Sequence, residues 1–176
     1  MSELITGIVS GVVASIVFYT FLLLVRPKID VSRKVCGNIG GGGGALVRIK
    51  VVNKTRFMLT NVKYVLHFCQ SQGEGVHQVE VLLPCKPSLG FIDRYSRNDV
   101  NAEYAVRFLY EIPSHIRLSE GWLEFSIYAN HGFSGTCACV KRRYGYDDVI
   151  PGLFETGTSM RILAVAGTET SGGAPT

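Results

Sequence analysis

These 176 residues contain no long basic run, no repeated cysteine spacing and no pair of histidines at metal-ligand spacing. Each absence removes a class of function. Lys and Arg total 18 against 14 Asp and Glu, a net charge of +4. Without a concentrated cationic stretch this excess gives no footing for dedicated nucleic-acid binding, and it suits a position beside an anionic membrane leaflet. The five cysteines, Cys36, Cys69, Cys85, Cys137 and Cys139, are an odd set. They read as free thiols in a reducing compartment, not as a disulfide framework. Cys137 and Cys139 flank a single Ala where a zinc clip commonly has two residues, and no second pair follows. His67, His77, His115 and His131 are scattered. No metal or other cofactor is expected.

Charge is also missing from residues 4–25, LITGIVSGVVASIVFYTFLLLV. As a helix with a rise of about 1.5 Å per residue this run is roughly 33 Å long, enough for a hydrocarbon core of about 30 Å. A buried core helix would show a polar face, and this run is apolar all round apart from small hydroxyl residues. A cleaved signal peptide would carry a basic n-region and a small-residue cleavage site. Here Glu3 precedes the run and Arg26, Pro27 and Lys28 follow it, so a retained anchor over 1–28 is expected. Arg26 and Lys28 at the membrane interface, with Arg33 and Lys34 beyond, place the following domain in the cytoplasm and the N-terminus outside. The expected location is the inner, cytoplasmic membrane. Gly7, Gly11 and Ser15 recur every four residues, a small-residue stripe that lets helices pack closely and predicts a homo-oligomer through the span.

The remaining ~150 residues suffice for one domain with a real core. Residues 29–35 read as a strand leaving the membrane face, and the glycines at 40–44 as a hairpin connection, since the Lys-Ser/Thr of a phosphate-binding loop is missing. Residues 45–53 alternate, with Val47, Ile49 and Val51 inward and Leu46, Arg48 and Lys50 on the other face. Asn53, Lys54 and Thr55 form a glycosylation sequon, which has no consequence in the cytoplasm. Residues 62–70 are the strongest strand, and 76–83 its hairpin partner across a turn at 71–75. Further strands are expected at 91–92, 104–112, 122–130, 136–144 and 159–165, with a helix over 100–110 as the competitor for the second of these. About eight short alternating strands with turns between them predict an antiparallel β-sandwich, Ig-like or a Greek-key variant, over 29–165, followed by a disordered tail at 166–176.

Chemistry-bearing constellations are sparse. Gly132, Phe133, Ser134 and Gly135 beside His131 invite comparison with a serine nucleophile elbow, but Thr136 stands where that motif needs Gly and the setting is a turn between strands. Asp147, Asp148, Glu120 and Glu124 form no recognisable acid-base pair. No catalytic residue is assigned. Lys141, Arg142, Arg143, Tyr144 and Tyr146 make a basic and aromatic cluster suited to an anionic small ligand. The favoured alternative is a solvated strand edge facing lipid headgroups, on which the three cations blunt strand pairing.

RPKIDVS after an apolar span, VRIKVVNKT, SIYANHGFSGT and PGLFETGTSMRI together resemble small bacterial proteins with one N-terminal span and a cytosolic β-sandwich, similar to membrane-anchored components of anti-phage defence systems. The resemblance implies a membrane effector or signalling component of antiviral defence whose sandwich senses a ligand or protein partner. A passive membrane adaptor is the competing expectation, and an envelope-facing binding module follows if the topology is reversed.

Overall fold

A computed structural model of the chain describes residues 2–38, 45–71, 77–85, 89–99 and 101–163. The expected glycine connection at 40–44, most of the 71–75 turn and the expected tail at 166–176 lie outside them. In chain order the elements are α1 (Ser2–Leu24), β1 (Ile29–Val31), β2 (Val35–Asn38), β3 (Ala45–Asn53), β4 (Leu59–Ser71), β5 (His77–Leu82), β6 (Phe91–Ile92) and β7 (Ala105–Ile112). They continue with β8 (Gly121–His131), β9 (Cys137–Tyr144), β10 (Val149–Ile150), β11 (Leu153–Phe154) and β12 (Ile162–Leu163). Short 3-10 turns lie at Leu118–Glu120 and Tyr146–Asp148.

Helix α1 is long and apolar enough to cross a membrane: Glu3–Leu22 has a mean hydropathy of 2.0 and none of it is buried against the rest of the chain. Three of its hydroxyls bond within the helix. Ser10 donates to the Gly7 carbonyl (3.0 Å), Ser15 to Gly11 (2.8 Å) and Thr20 to Ile16 (2.8 Å). These three hydroxyls are thus satisfied by the helix's own backbone, without water.

Beyond the helix the chain is a β-sandwich. In one sheet β1 and β2 pair antiparallel with successive parts of one edge of β3, β7 runs along its other edge, and β10 joins β2. In the other, the order is β5-β4-β8-β9, with β6 beside the start of β4. Ladders are antiparallel except for β10 with β2, which is parallel over two residues. Between the sheets lies one apolar core: Val47, Ile49, Val51, Phe108 and Ile112 from the first meet Leu66, Phe68, Leu123, Phe125 and Ile127 from the second. Phe108 touches both Tyr64 and Phe125 across the gap, with ring centroids 4.1 and 5.8 Å away. The period-two alternation read from 45–53 and 122–130 is what delivers these residues inward.

Residues 105–112 are strand and not helix. Asp99 accepts the N–H groups of Asn101 and Glu103, and Ala102 takes a left-handed conformation (φ 51°) that a helix does not tolerate. Across 29–35 the strand is interrupted, so the single strand expected there is two. At Ser32 the ladder keeps one bond and loses the other: the Ser32 N–H donates to the Lys50 carbonyl (2.9 Å), but the Lys50 N–H goes to the Ser32 hydroxyl (3.2 Å), and the Ser32 carbonyl accepts the Tyr144 hydroxyl (2.8 Å). Lys50 departs furthest from expectation. Placed by alternation on a polar outer face, it is fully buried, because the β11–β12 hairpin folds over it and its Nζ donates to the carbonyls of Glu155 and Ser159, the latter at 2.7 Å.

Tyr110 is fully buried and its hydroxyl has no partner among the described residues. Burial pushes its ionisation well above the ordinary phenol range. Tyr110→Phe should raise stability by about 1 kcal/mol, since the ring stays and only an unsatisfied hydroxyl leaves. Thermal unfolding of the detergent-solubilised chain should show a Tm increase of about 3 °C. A decrease would mean that the hydroxyl has a partner the structure does not show.

Candidate functional site at the helix and sandwich joint

Past α1 the chain enters the sandwich without a free linker. Val25 is half-buried, Pro27 is buried, the Lys28 carbonyl accepts the Lys54 N–H (2.8 Å), and Ile29 already begins β1. The last helical turn leaves carbonyls without intrahelical donors. One of them, that of Val25, is capped by the β8–β9 hairpin: the Ser134 hydroxyl donates to it at 2.8 Å and the Thr136 hydroxyl lies 3.2 Å from it. A hairpin more than a hundred residues downstream therefore supplies the cap.

The hairpin is shaped for this. Gly135 takes φ +68°, a left-handed conformation that closes the turn. Gly132 donates its N–H to the Met58 carbonyl (2.8 Å), and a Cβ on Gly132 would lie 2.6 Å from that oxygen. Beneath it His131 is buried, with the Phe57 ring edge-on at 5.0 Å, and Phe57 stacks on Phe133 at 5.2 Å.

Ser134 and His131 do meet, with Oγ 3.1 Å from Nδ1, but the proton count gives them a structural role. The single Ser134 hydroxyl proton has its shortest carbonyl acceptor in Val25, and Nδ1 already accepts the Ser134 backbone N–H (3.1 Å). Thr136 Oγ1, 2.8 Å from Ser134 Oγ, is placed to donate to it. The serine is a cap, oriented by a neutral imidazole.

Desolvation holds the His131 imidazole below its usual 6.5. The unfolded chain therefore binds more protons at mildly acid pH, and the stability that neutral His131 supports is fully present above about pH 6.5. It is lost as pH falls from there through the lowered folded value, because a protonated Nδ1 cannot accept from Ser134. The Tm should fall between pH 7.5 and pH 5 by more in the wild type than in His131→Gln, which does not titrate. Equal pH slopes in the two chains would refute this.

The other residues singled out from sequence lie elsewhere. Gly7, Gly11 and Ser15 share one face of α1 and border a shallow groove with Ile8, Val12, Ile16 and Tyr19; a Cβ on either glycine would meet open space. Arg26 and Lys28 are exposed at the joint. The cluster at 141–146 does not assemble into one site, because strand alternation splits it. Lys141 and Arg143 face outward, Lys141 3.4 Å from Glu124 and Arg143 with its guanidinium carbon 4.6 Å above the Trp122 ring. Arg142 and Tyr144 point the other way, and Tyr144 is buried, with burial raising its hydroxyl well above the usual range. Only Tyr146 is an exposed aromatic here. Cys137 and Cys139 share the exposed side of β9, and among the described residues no three His, Cys, Asp or Glu gather as a metal site.

In the sequence Asn53 is marked only by its sequon. It is fully buried; Nδ2 donates to the carbonyls of Phe57 (2.9 Å) and Asp93 (2.8 Å), and Oδ1 accepts the Thr55 N–H (2.9 Å) and hydroxyl (2.6 Å). In the folded chain it is closed to glycosylation on either side of a membrane. Its partners bind the 53–58 and 91–95 segments to the base of the sandwich beside the helix exit. No protein-family model matches this chain, and no curated protein matches it.

Proposed function

We propose that this is a single-pass membrane protein without enzymatic activity, in which the span and a cytosolic β-sandwich act as one body to bind or sense a partner. The observation that carries this reading is the capped Val25 carbonyl. A cleaved leader would leave Ser134 and Thr136 without it, whereas a retained span transmits any rotation or association of helices directly to β8 and β9. Self-association along Gly7, Gly11 and Ser15 then couples to the state of the sandwich, as an effector in bacterial antiviral defence would need. Arg26 and Lys28 support the cytoplasmic side, with the N-terminal side of the helix outside. A protein partner or an anionic small ligand remains the expected class of signal.

The test is thiol labelling in intact and permeabilised cells, combined with cross-linking of the spans. Cys85, Cys137 and Cys139 are exposed while Cys36 and Cys69 are buried, and burial lifts the Cys36 thiol to about 11. An impermeant maleimide should modify the three exposed thiols only after permeabilisation. Leucine at Gly7 and Gly11 should abolish cross-linked dimers and, with them, any change in membrane potential on expression. Labelling in intact cells would reverse the topology and favour an envelope binding module. Unaltered dimers with both leucines would remove the helix stripe from the mechanism and leave the passive adaptor.

A further inference from the structure

The base of the sandwich around the helix exit carries exposed aromatic and thioether side chains that the core does not use. Phe133 at the hairpin tip is 56% exposed, and Phe57 and Met58 are each 41% exposed. They belong to one unit, since Phe57 stacks on Phe133 and Met58 accepts the Gly132 N–H. Arg26, Lys28 and Arg56 stand exposed in the same segments.

We infer that Phe57, Met58 and Phe133 form a foot embedded in the lipid interface, flanked by cations directed at anionic headgroups. This rests on α1 being a membrane span. The position follows from chain geometry. Val25 lies three residues past Leu22, the end of the apolar window, a rise of about 4.5 Å. Each headgroup layer is roughly 5–7 Å thick. Ser134 is hydrogen-bonded to Val25, so its neighbour Phe133 is fixed at the same level and the absence of a linker keeps it there. Aromatic rings and a flexible thioether with adjacent Lys and Arg are the composition that interfacial anchoring favours. Without lipid, the same three side chains would leave an apolar patch in water next to the span.

The test uses the full chain in phospholipid vesicles, with Phe133→Trp and, separately, Met58→Trp as reporters. Trp122, the natural tryptophan, lies nine residues up β8 from His131, about 30 Å away, and serves as the distant reference. Lipids brominated on the upper acyl chain should lower the added emission by about twofold or more while leaving wild-type emission nearly unchanged. Alkaline carbonate extraction is run in parallel on the same vesicles. Retained protein with unquenched reporters overturns the foot and spares the span. Release by carbonate overturns both, and quenching that lowers the wild-type Trp122 emission as much as the added reporters' removes the depth assignment and with it the foot.

Discussion

Asn53→Ala is expected to lower the unfolding free energy by about 3–5 kcal/mol and the Tm by roughly 10 °C. The side chain is fully buried and both ends of its amide are used, so truncation opens a buried hole at the helix exit, strands the Asp93 carbonyl and the Thr55 N–H, and leaves the Phe57 carbonyl to the Thr55 hydroxyl alone. Thr55→Val should cost less, about 1–2 kcal/mol, because both acceptors of the lost hydroxyl keep a donor: the Phe57 carbonyl keeps Asn53 Nδ2 (2.9 Å) and Asn53 Oδ1 keeps the Thr55 N–H (2.9 Å). Asn53→Asp should resemble the alanine variant, since it retains the acceptor oxygen but turns a carboxylate toward the Phe57 and Asp93 carbonyls. Thermal melts of the three variants check the order, and an Asn53→Ala chain within 1 °C of wild type would refute the clamp.

For Lys50→Met the effect is large and local. The ammonium holds the β11–β12 hairpin by two backbone carbonyls, Ser159 in turn donates to the Glu155 carboxylate (2.6 Å), and the Glu155 N–H reaches Arg161 (3.0 Å). Methionine keeps the apolar stem and deletes the donors. Two charge-assisted bonds are worth about 3 kcal/mol to closure of this hairpin, so amide exchange over 153–163 should accelerate by roughly a hundredfold. Global stability should change less, because removing the charge also relieves its desolvation and the repulsion from Arg107, the two causes that hold the Lys50 ionisation below its usual value. That lowered value costs stability at neutral pH, and the cost fades only as pH rises through it toward 10.5. Uniform exchange across the sheet, with no concentration in 153–163, would contradict this account.

Val47 follows the alternation of β3 and Lys50 departs from it for a reason of range. Alternation is a local property, and in β3, β4 and β8 the neighbour two positions away reports the same face, so the core was readable from the chain itself. What covers the opposite face is decided by residues about a hundred positions later, and no period in the sequence encodes it. The same holds for Val25, whose cap comes from Ser134, and for Tyr144, drawn inward by the Ser32 carbonyl after grouping with surface cations on proximity alone. The joint was legible in its parts, a helix stopped before Pro27 and a glycine-rich turn at 131–135. Their meeting was not.

Because Val25 is fixed to the β8–β9 hairpin, the compass bearing of every residue on α1 is fixed relative to the two sheets. Helical geometry advances about 100° and 1.5 Å per residue. One alanine inserted between Ser15 and Val25 would therefore swing the Gly7 and Gly11 face by more than a quarter turn around the sandwich, and a second would carry it beyond the opposite side. The helix is keyed to its domain in phase, and any assembly through that face inherits a single permitted arrangement of the sandwiches about its axis.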